Sequence, residues 1–164
     1  MTLMFLNGGA MRSGPLHHLL AGARFVGVVR TAPRYRFYSV GDRFPALAEL
    51  PEITGPQEVG AGVGAGAGVR TDADAGASTG AGGGVSIAGE LYEVPWEVLR
   101  ESLLPAEPAE LELGVIELED GSGCLSMIRR RTYHESPGLY RDISDHADWR
   151  SYTAMPAPAG STEE

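Results

Sequence analysis

Short apolar runs separated by glycine, proline and polar residues make up the first part of the chain. The run Leu3–Leu6 predicts a buried strand that Gly8-Gly9 ends, and the leucines after Pro15 fall on one side of a helical turn. Phe25–Arg30 and Tyr35–Val40 are rich in aromatic and β-branched residues, which are typical of strands. We expect these two segments to be antiparallel strands, joined by a turn at the intervening Thr-Ala-Pro.

A second block of patterned sequence begins near Val85. Apolar residues alternate with small or polar ones up to Leu91, which predicts a strand whose middle, at Gly89, allows a close approach by another group. Pro95 is expected to open a helix and Pro105 to end it. One face of this helix is apolar at helical spacing, and it comprises Trp96, Leu99 and Leu103.

The rest of this block has the pattern of a β-hairpin followed by a short helix. The apolar runs Leu111–Leu118 and Cys124–Ile128 flank Asp120-Gly121-Ser122-Gly123, a tight-turn sequence. A helix is predicted over Ser144–Tyr152, with its first residue as the N-cap and Trp149 docking the chain end. Interleaved strands with few helices predict an α+β domain built on a mostly antiparallel sheet that can close into a barrel.

Between about residues 55 and 84 this patterning disappears. The segment consists mainly of Gly, Ala, Val, Thr and Asp and has no aromatic residue, so it cannot bury enough apolar surface to offset the entropy of the chain. With 164 residues in total, one domain is the expectation. We therefore predict a single domain over 1–153, interrupted by a disordered Gly/Ala-rich insertion at 55–84, and a disordered tail over 154–164.

The charge and the rarer residue types exclude several functions. The net charge is −9 and all 13 basic residues are arginine, which argues against nucleic acid as a partner and excludes Schiff-base chemistry on a lysine. The single cysteine, Cys124, lies in an apolar run and is expected to be a buried thiol. The four histidines have no metal-ligand spacing, so we expect no metal site. No apolar stretch is long enough for a membrane span, and we expect a cytoplasmic location.

Two features are candidates for chemistry, and each has a purely structural alternative. The loop Asn7-Gly8-Gly9-Ala10-Met11 places consecutive backbone N–H groups at a tight turn, because glycine accepts a positive φ, and such a turn can bind an anion. An ordinary strand-to-helix turn is the alternative. Glu107 lies between Pro105 and Pro108, so its carboxylate is held on a stiff segment and could act as a general base in a partly desolvated pocket. A solvated glutamate is the alternative.

Several segments resemble the γ-glutamylcyclotransferase-like superfamily. Met4–Met11 resembles the first strand and the Tyr-Gly-Ser-Leu-type loop of these domains. Gly14–Phe25 and Arg30–Arg36 look especially like the C-terminal domain of allophanate hydrolases and its stand-alone relatives. Ile87–Val94 is similar to the Gly-x-Leu-Tyr strand of the superfamily, and Leu113–Gly121 continues the match. The resemblance covers nearly all of the chain outside the insertion and the tail.

This resemblance implies a mixed β-barrel with a few short helices and assigns roles to both candidate features. The loop from Asn7 to Met11 would supply backbone donors to a substrate carboxylate or carbonyl. The catalytic glutamate of the family lies in a Leu-Asp-x-x-Glu-Gly segment, which corresponds to Leu103–Pro108 and places Glu107 at the catalytic position. Asn7 stands for the tyrosine of the family, Leu104 for its aspartate and Pro108 for its glycine, which implies a pocket rebuilt for another substrate.

The function implied is that of a cofactor-independent enzyme acting on a small amide or urea-like carboxylate, with Glu107 as general acid or base. The reaction would be a cyclotransferase reaction that releases 5-oxoproline, or the decarboxylation or hydrolysis associated with allophanate hydrolases. The alternative is a non-catalytic module that keeps the pocket to bind a metabolite or to support an amidase-type partner enzyme.

Overall fold

The computed structural model describes residues 1–50, 83–131 and 138–154. The predicted insertion at 55–84 and the predicted tail at 154–164 lie outside the described residues, apart from Gly83, Gly84 and Ala154. Within the described ranges, no helix has the length and apolar character needed to cross a membrane.

These ranges form eight strands and a few short helical segments. The strands are β1 (Thr2–Leu6), β2 (Arg24–Arg30), β3 (Tyr35–Val40), β4 (Phe44–Glu49), β5 (Ala88–Val94), β6 (Leu111–Glu117), β7 (Gly123–Arg129) and β8 (Tyr140–Asp142). The helical segments are a 3-10 turn (His17–Leu20), α1 (Trp96–Val98), a π-helical turn (Leu99–Leu103), α2 (Leu104–Ala106) and α3 (Trp149–Thr153).

All of these strands belong to one mixed sheet that curls into a half-barrel. Its order is β2-β5-β1-β7-β4-β3-β8, with β6 also paired to β7. A backbone bridge between Thr31 and Leu118 ties the end of β2 to the end of β6. Most of the pairs are antiparallel, and β7 has parallel neighbours in β1 and β4. The predicted α+β class with a barrel-like mixed sheet is thereby confirmed.

The sheet forks along one edge of β7. Because β6 pairs with β7 over its whole length and a strand has only two edges, β1 and β4 must share the opposite edge. β1 contacts β7 at Leu125 and Ser126, whereas β4 contacts it at Ile128. Met127 lies between these contacts, at the point where β1 leaves the sheet edge and β4 joins it.

One hydrophobic core fills the concave side of the sheet. Phe5 and Phe37 are fully buried there, and large side chains of this kind contribute most of the stabilisation from burial. Gly89 allows a close approach, because a Cβ at this position would lie 2.5 Å from the carbonyl oxygen of Leu6 and 2.5 Å from the ring of Phe5. The close approach predicted at Gly89 is confirmed, although Gly89 is the second residue of β5 and not the middle of the strand.

The two segments predicted to be antiparallel strands are strands, β2 and β3, but they do not pair with each other. β2 pairs with β5, and β3 pairs with β4 and β8. The segment between them is held by the N–H of Ala32, which donates to the carbonyl of Glu117 at 2.9 Å, and this contact carries the chain from one part of the sheet to another. The sequence analysis also missed β4 and β8.

The helix predicted to begin after Pro95 does so, but it does not end at Pro105. The N–H of Leu104 donates to the carbonyl of Leu99, five residues earlier, so the helix widens into a π-helical turn just before the proline and continues to Ala106. A proline has no N–H to donate and crowds the preceding turn of a regular α-helix, and the wider turn accommodates it. On the predicted apolar face, Leu99 and Leu103 are buried but Trp96 is 54% exposed.

The last helix is shorter than predicted and has a different cap. Asp148 caps α3, because its Oδ1 accepts a hydrogen bond from the N–H of Arg150 at 3.0 Å. Ser144, the predicted cap, is buried instead, and its Oγ accepts a hydrogen bond from the N–H of Phe37 at 3.0 Å. Trp149 is buried and docks α3 onto the core, as predicted.

Candidate functional site

A cavity of about 250 Å³ lies at the fork between β1 and β4. Its walls come from the end of β1, the loop after it, the start of β4, the end of α2 and Met127 of β7. Asn7, Gly8, Gly9 and Ala10 line this cavity together with Glu107. The structure therefore brings the loop and the carboxylate singled out in the sequence to one place.

Met11 is the predicted site residue that lies apart from the cavity wall. Its side chain is 1% exposed and belongs to the core. Its N–H donates to the carbonyl of Gly8 at 3.0 Å, so this donor is already used by the loop. Met11 supports the site from within the core and offers no group to a ligand.

The loop is a four-residue turn in which Gly8 is needed for space, whereas a Cβ on Gly9 would make only ordinary contacts, the nearest at 3.5 Å. The expectation of a positive φ is wrong here, because neither Gly8 nor Gly9 is among the residues with φ above zero. A Cβ on Gly8 would lie 2.9 Å from Cδ of Pro45. A Cβ on Gly14, a residue that the sequence analysis did not single out, would lie 2.1 Å from the carbonyl oxygen of Gly9. The loop can pack this tightly only because both positions lack a side chain.

Some hydrogen-bond donors of Asn7 and of the turn after it have no acceptor among the described residues. Asn7 is 8% exposed, and its Nδ2 has no acceptor among the described residues. Gly9 and Ala10 are the central residues of the turn, and neither N–H donates to an acceptor in the part of the chain that the structure describes. A buried donor without a partner, such as Nδ2 of Asn7, costs about 1–3 kcal/mol, and together with the partly exposed N–H of Gly9 it is suited to an acceptor that enters the cavity.

Glu107 lines the same cavity as these donors. It follows the last turn of α2 with φ −77° and ψ 140°, the extended conformation that the following Pro108 favours. Its N–H donates to the carbonyl of Leu104 at 3.3 Å. Burial raises the pKa of its carboxyl from the ordinary 4.5 to about 7, and none of the described arginines forms an ion pair with it to oppose this rise.

Arg43 is a cavity residue that the sequence analysis missed. It lines the cavity at the start of β4, and its Nη2 is 3.8 Å from Oε1 of Glu110. Its side chain is 64% exposed, so the guanidinium remains accessible at the cavity mouth. In the sequence Arg43 follows Gly41-Asp42, a turn pattern that normally carries solvated residues, and nothing local indicates that it lines the same cavity as Glu107.

Two other residues that bear on chemistry have supporting or structural positions. Nδ1 of His17 is 3.1 Å from the carbonyl oxygen of Ala10, and since a carbonyl only accepts, Nδ1 is the donor and holds the loop. Cys124 is buried, and burial raises the pKa of its thiol to about 11. The burial confirms the expectation of a buried thiol. Among the described residues, no group of His, Cys, Asp and Glu side chains is arranged to hold a metal ion.

Comparison with known proteins places this geometry in context. The family model described as the allophanate hydrolase C-terminal domain matches residues 2–61 and 69–154. Among solved structures, a protein described as specific to uropathogenic E. coli is 28% identical, with a TM-score of 0.70 and coverage of 95% of this chain and 98% of that chain. Among curated protein sequences, none matches the chain.

Two more distant structures share the fold. Kluyveromyces lactis allophanate hydrolase is 20% identical with a TM-score of 0.67, and the match covers 93% of this chain but 21% of that chain. An AIG2-like protein from Mus musculus is 20% identical with a TM-score of 0.52, and the match covers 85% of this chain and 82% of that chain. These matches confirm the resemblance found in the sequence.

Proposed function

Since the chain belongs to the family of the allophanate hydrolase C-terminal domain, we propose that it is an enzyme for a small substrate carrying a carboxylate and an amide or urea-like group. Glu107 is the general base or acid of this reaction. The solved relatives named allophanate hydrolase and urea amidolyase are much longer, and this chain covers 21% and 8% of them.

The observation that carries the proposal is a partly buried carboxyl with a raised pKa in the same cavity as unused donors. A carboxyl with a pKa of about 7 is close to half ionised at neutral pH, so it can both accept and return a proton during turnover. The amide of Asn7 and the turn N–H groups lie in the same wall, where they can stabilise negative charge that develops on a substrate oxygen.

Arg43 supplies the cation that a carboxylate substrate requires. Its guanidinium can pair with a carboxylate through two hydrogen bonds, and its place at the exposed side of the cavity orients the reacting group towards Glu107. The cavity of about 250 Å³ is smaller than the roughly 300–1,000 Å³ typical of pockets for drug-sized ligands. A substrate of amino-acid size is therefore expected.

Two reactions fit these groups. In a cyclotransferase reaction, Glu107 takes a proton from the α-amine of a γ-glutamyl amide as the nitrogen attacks the γ-carbonyl. A C–N bond forms, the original amide C–N bond breaks, and the proton leaves with the released amine. In the allophanate-related reaction, the cavity holds a carboxylated carbamate-like compound. Its C–N bond to the carboxylate breaks with loss of CO₂, and Glu107 donates the proton that the nitrogen gains.

The experiment compares two isosteric variants on a panel of γ-glutamyl amines, allophanate and biuret. Glu107→Gln should lower kcat at least about 100-fold, while Glu101→Gln, on the same helical segment but 64% exposed, should keep full activity. For a general base, kcat/KM should rise with pH around a midpoint near 7. Undiminished turnover by Glu107→Gln on a compound that the wild type converts would reject the role of Glu107.

The second candidate function is that of a module acting beside an amidase-type enzyme. The match to 21% of one longer hydrolase and 8% of another favours it. The isolated chain would then bind a panel compound, seen as a raised unfolding temperature, without converting it. Turnover would appear only when an amidase-type enzyme that supplies the substrate is added.

A further inference from the structure

A buried ionic cluster lies beside the candidate site and belongs to none of the roles described so far. Its centre is Glu90 on β5, whose side chain is 0% exposed. Oε1 accepts hydrogen bonds from Nε of Arg12 at 3.0 Å and Nη2 of Arg150 at 2.8 Å. Oε2 accepts from the N–H of Arg12 at 2.8 Å and the hydroxyl of Tyr92 at 2.9 Å. All four bonds to this carboxylate come from residues that surround the loop.

Arg12 connects the cluster to the cavity loop. It directly follows the segment Asn7–Met11, and Glu90 binds both its backbone and its side chain. Its guanidinium also stacks on the ring of Phe25, 3.9 Å from the centroid. With two independent bonds to one buried carboxylate, the end of the loop can change position only if the cluster breaks.

Arg150 connects the same cluster to the C-terminal helix. Its Nη2 donates both to Oε1 of Glu90 at 2.8 Å and to the carbonyl oxygen of Arg12 at 2.9 Å. The neighbouring Trp149 anchors α3 in the core. The helix therefore contacts the loop through one side chain that is bonded at two points.

The charge of Glu90 is stable in this position. Burial by itself raises the pKa of a carboxyl, but the hydrogen bonds from Arg150, Arg12 and Tyr92 outweigh it and hold the pKa of Glu90 at about 2. The carboxylate stays ionised throughout the range in which Glu107 titrates. A buried ionic cluster adds little net stability compared with apolar packing, and its best-attested use is to fix one arrangement of the groups around it.

We propose that Glu90 and Arg150 are positioning residues of the candidate site, which fix the loop Asn7–Arg12 so that its donors line the cavity opposite Glu107. They act through Arg12 and touch no substrate. The expected effect on turnover rests on the proposed function, whereas the expected effect on the mobility of the loop does not.

The first test measures the loop without any substrate. Amide hydrogen exchange of Met11 and Leu16 reports the loop, because these N–H groups donate to Gly8 and Gly9 and not to Glu90. In Glu90→Gln and in Arg150→Met, we expect their exchange to become at least about tenfold faster, with β1 and β5 unchanged. Equal acceleration in the strands, or none in the loop, would overturn the proposal.

The matched control is Glu93→Gln. Glu93 lies on the same strand and pairs with Arg24 at 2.7 Å, but its side chain is 33% exposed and it is outside the cluster. Its loss should leave loop exchange unchanged. If Glu90→Gln does not fold, Arg150→Met alone provides the test. The side chain of Arg150 is 19% exposed, and its replacement leaves Glu90 bonded to Arg12 and Tyr92.

The second test uses turnover of a panel compound. In Arg150→Met, kcat should fall at least about tenfold while the pH midpoint near 7 is kept, and Arg150→Lys should recover part of the loss. A kcat equal to that of the wild type would overturn the positioning role. If Glu107→Gln keeps full activity, the proposed function fails, and the hydrogen-exchange result still decides the present inference.

Discussion

The carboxyl of Glu107 makes a contribution to stability that depends on pH, because it is partly buried and none of the described arginines forms an ion pair with it. Its pKa is about 7 in the folded protein against an ordinary 4.5. The folded state thus holds this proton more tightly than the unfolded state. A raised folded pKa stabilises the protein fully below pH 4.5, and that stabilisation is lost as the pH rises from 4.5 through 7.

The size of the effect follows from the shift. Each pKa unit corresponds to about 1.4 kcal/mol, so the full shift corresponds to about 3 kcal/mol, and the partial exposure of Glu107 lowers this to about 2–3 kcal/mol. Glu107→Gln removes the titrating group but keeps the shape. The variant should match the wild type near pH 4.5 and exceed its unfolding free energy by about 2–3 kcal/mol at pH 8.

Urea unfolding at several pH values between 4.5 and 8.5 measures this difference. The fluorescence of Trp149, which is buried in the folded state, provides the signal, and equal slopes against urea show that the unfolded states are comparable. Glu101→Gln serves as the control and should follow the wild-type curve. A constant difference between Glu107→Gln and the wild type at all pH values would refute the buried, unpaired carboxyl and with it the basis for a general base.

Three further outcomes are expected. Gly14→Ala should lower the unfolding free energy by about 2 kcal/mol or more, because its Cβ would meet the carbonyl of Gly9. The control is Gly27→Ala, at a position with open space around it. In the same urea titration this variant should have a far smaller effect. Arg43→Met should raise KM for a carboxylate substrate about 10- to 100-fold with little change in kcat, and an unchanged KM would remove Arg43 from recognition. Cys124 should resist thiol-specific reagents in the folded protein and react on unfolding, as measured by labelling with and without urea.

The local sequence was sufficient to predict those parts of the structure that depend on residues close together in the chain. The hairpin of β6 and β7 was predicted because its turn contains Gly121, whose φ is +83°, between two apolar runs. β2 and β3 were predicted as strands, but their partners were not, since pairing depends on residues more than fifty positions away in the case of β2 and β5. β8 has three residues, too few for a pattern.

Some parts of the candidate site were likewise predictable from the local sequence, and other parts were not. The loop at Asn7 and the stiff segment around Glu107 were visible as local features, and the family resemblance joined them. The conformation of the loop was predicted for the wrong reason, because Gly8 and Gly14 are required by contacts that only the folded chain creates. Arg43 and the cluster around Glu90 depend entirely on such contacts, and no spacing in the sequence indicates them.

The fork on β7 also determines when the cavity can exist during synthesis. The first strand pairs with β7 through Met4 and Leu125, which are separated by most of the chain, so this contact order is high and the pairing forms slowly. A ribosome-bound nascent chain that ends before β7 lacks the strand to which β1 and β4 both attach. We therefore expect fragments that end before β7 to lack the cavity wall at Met127 and to bind no ligand there.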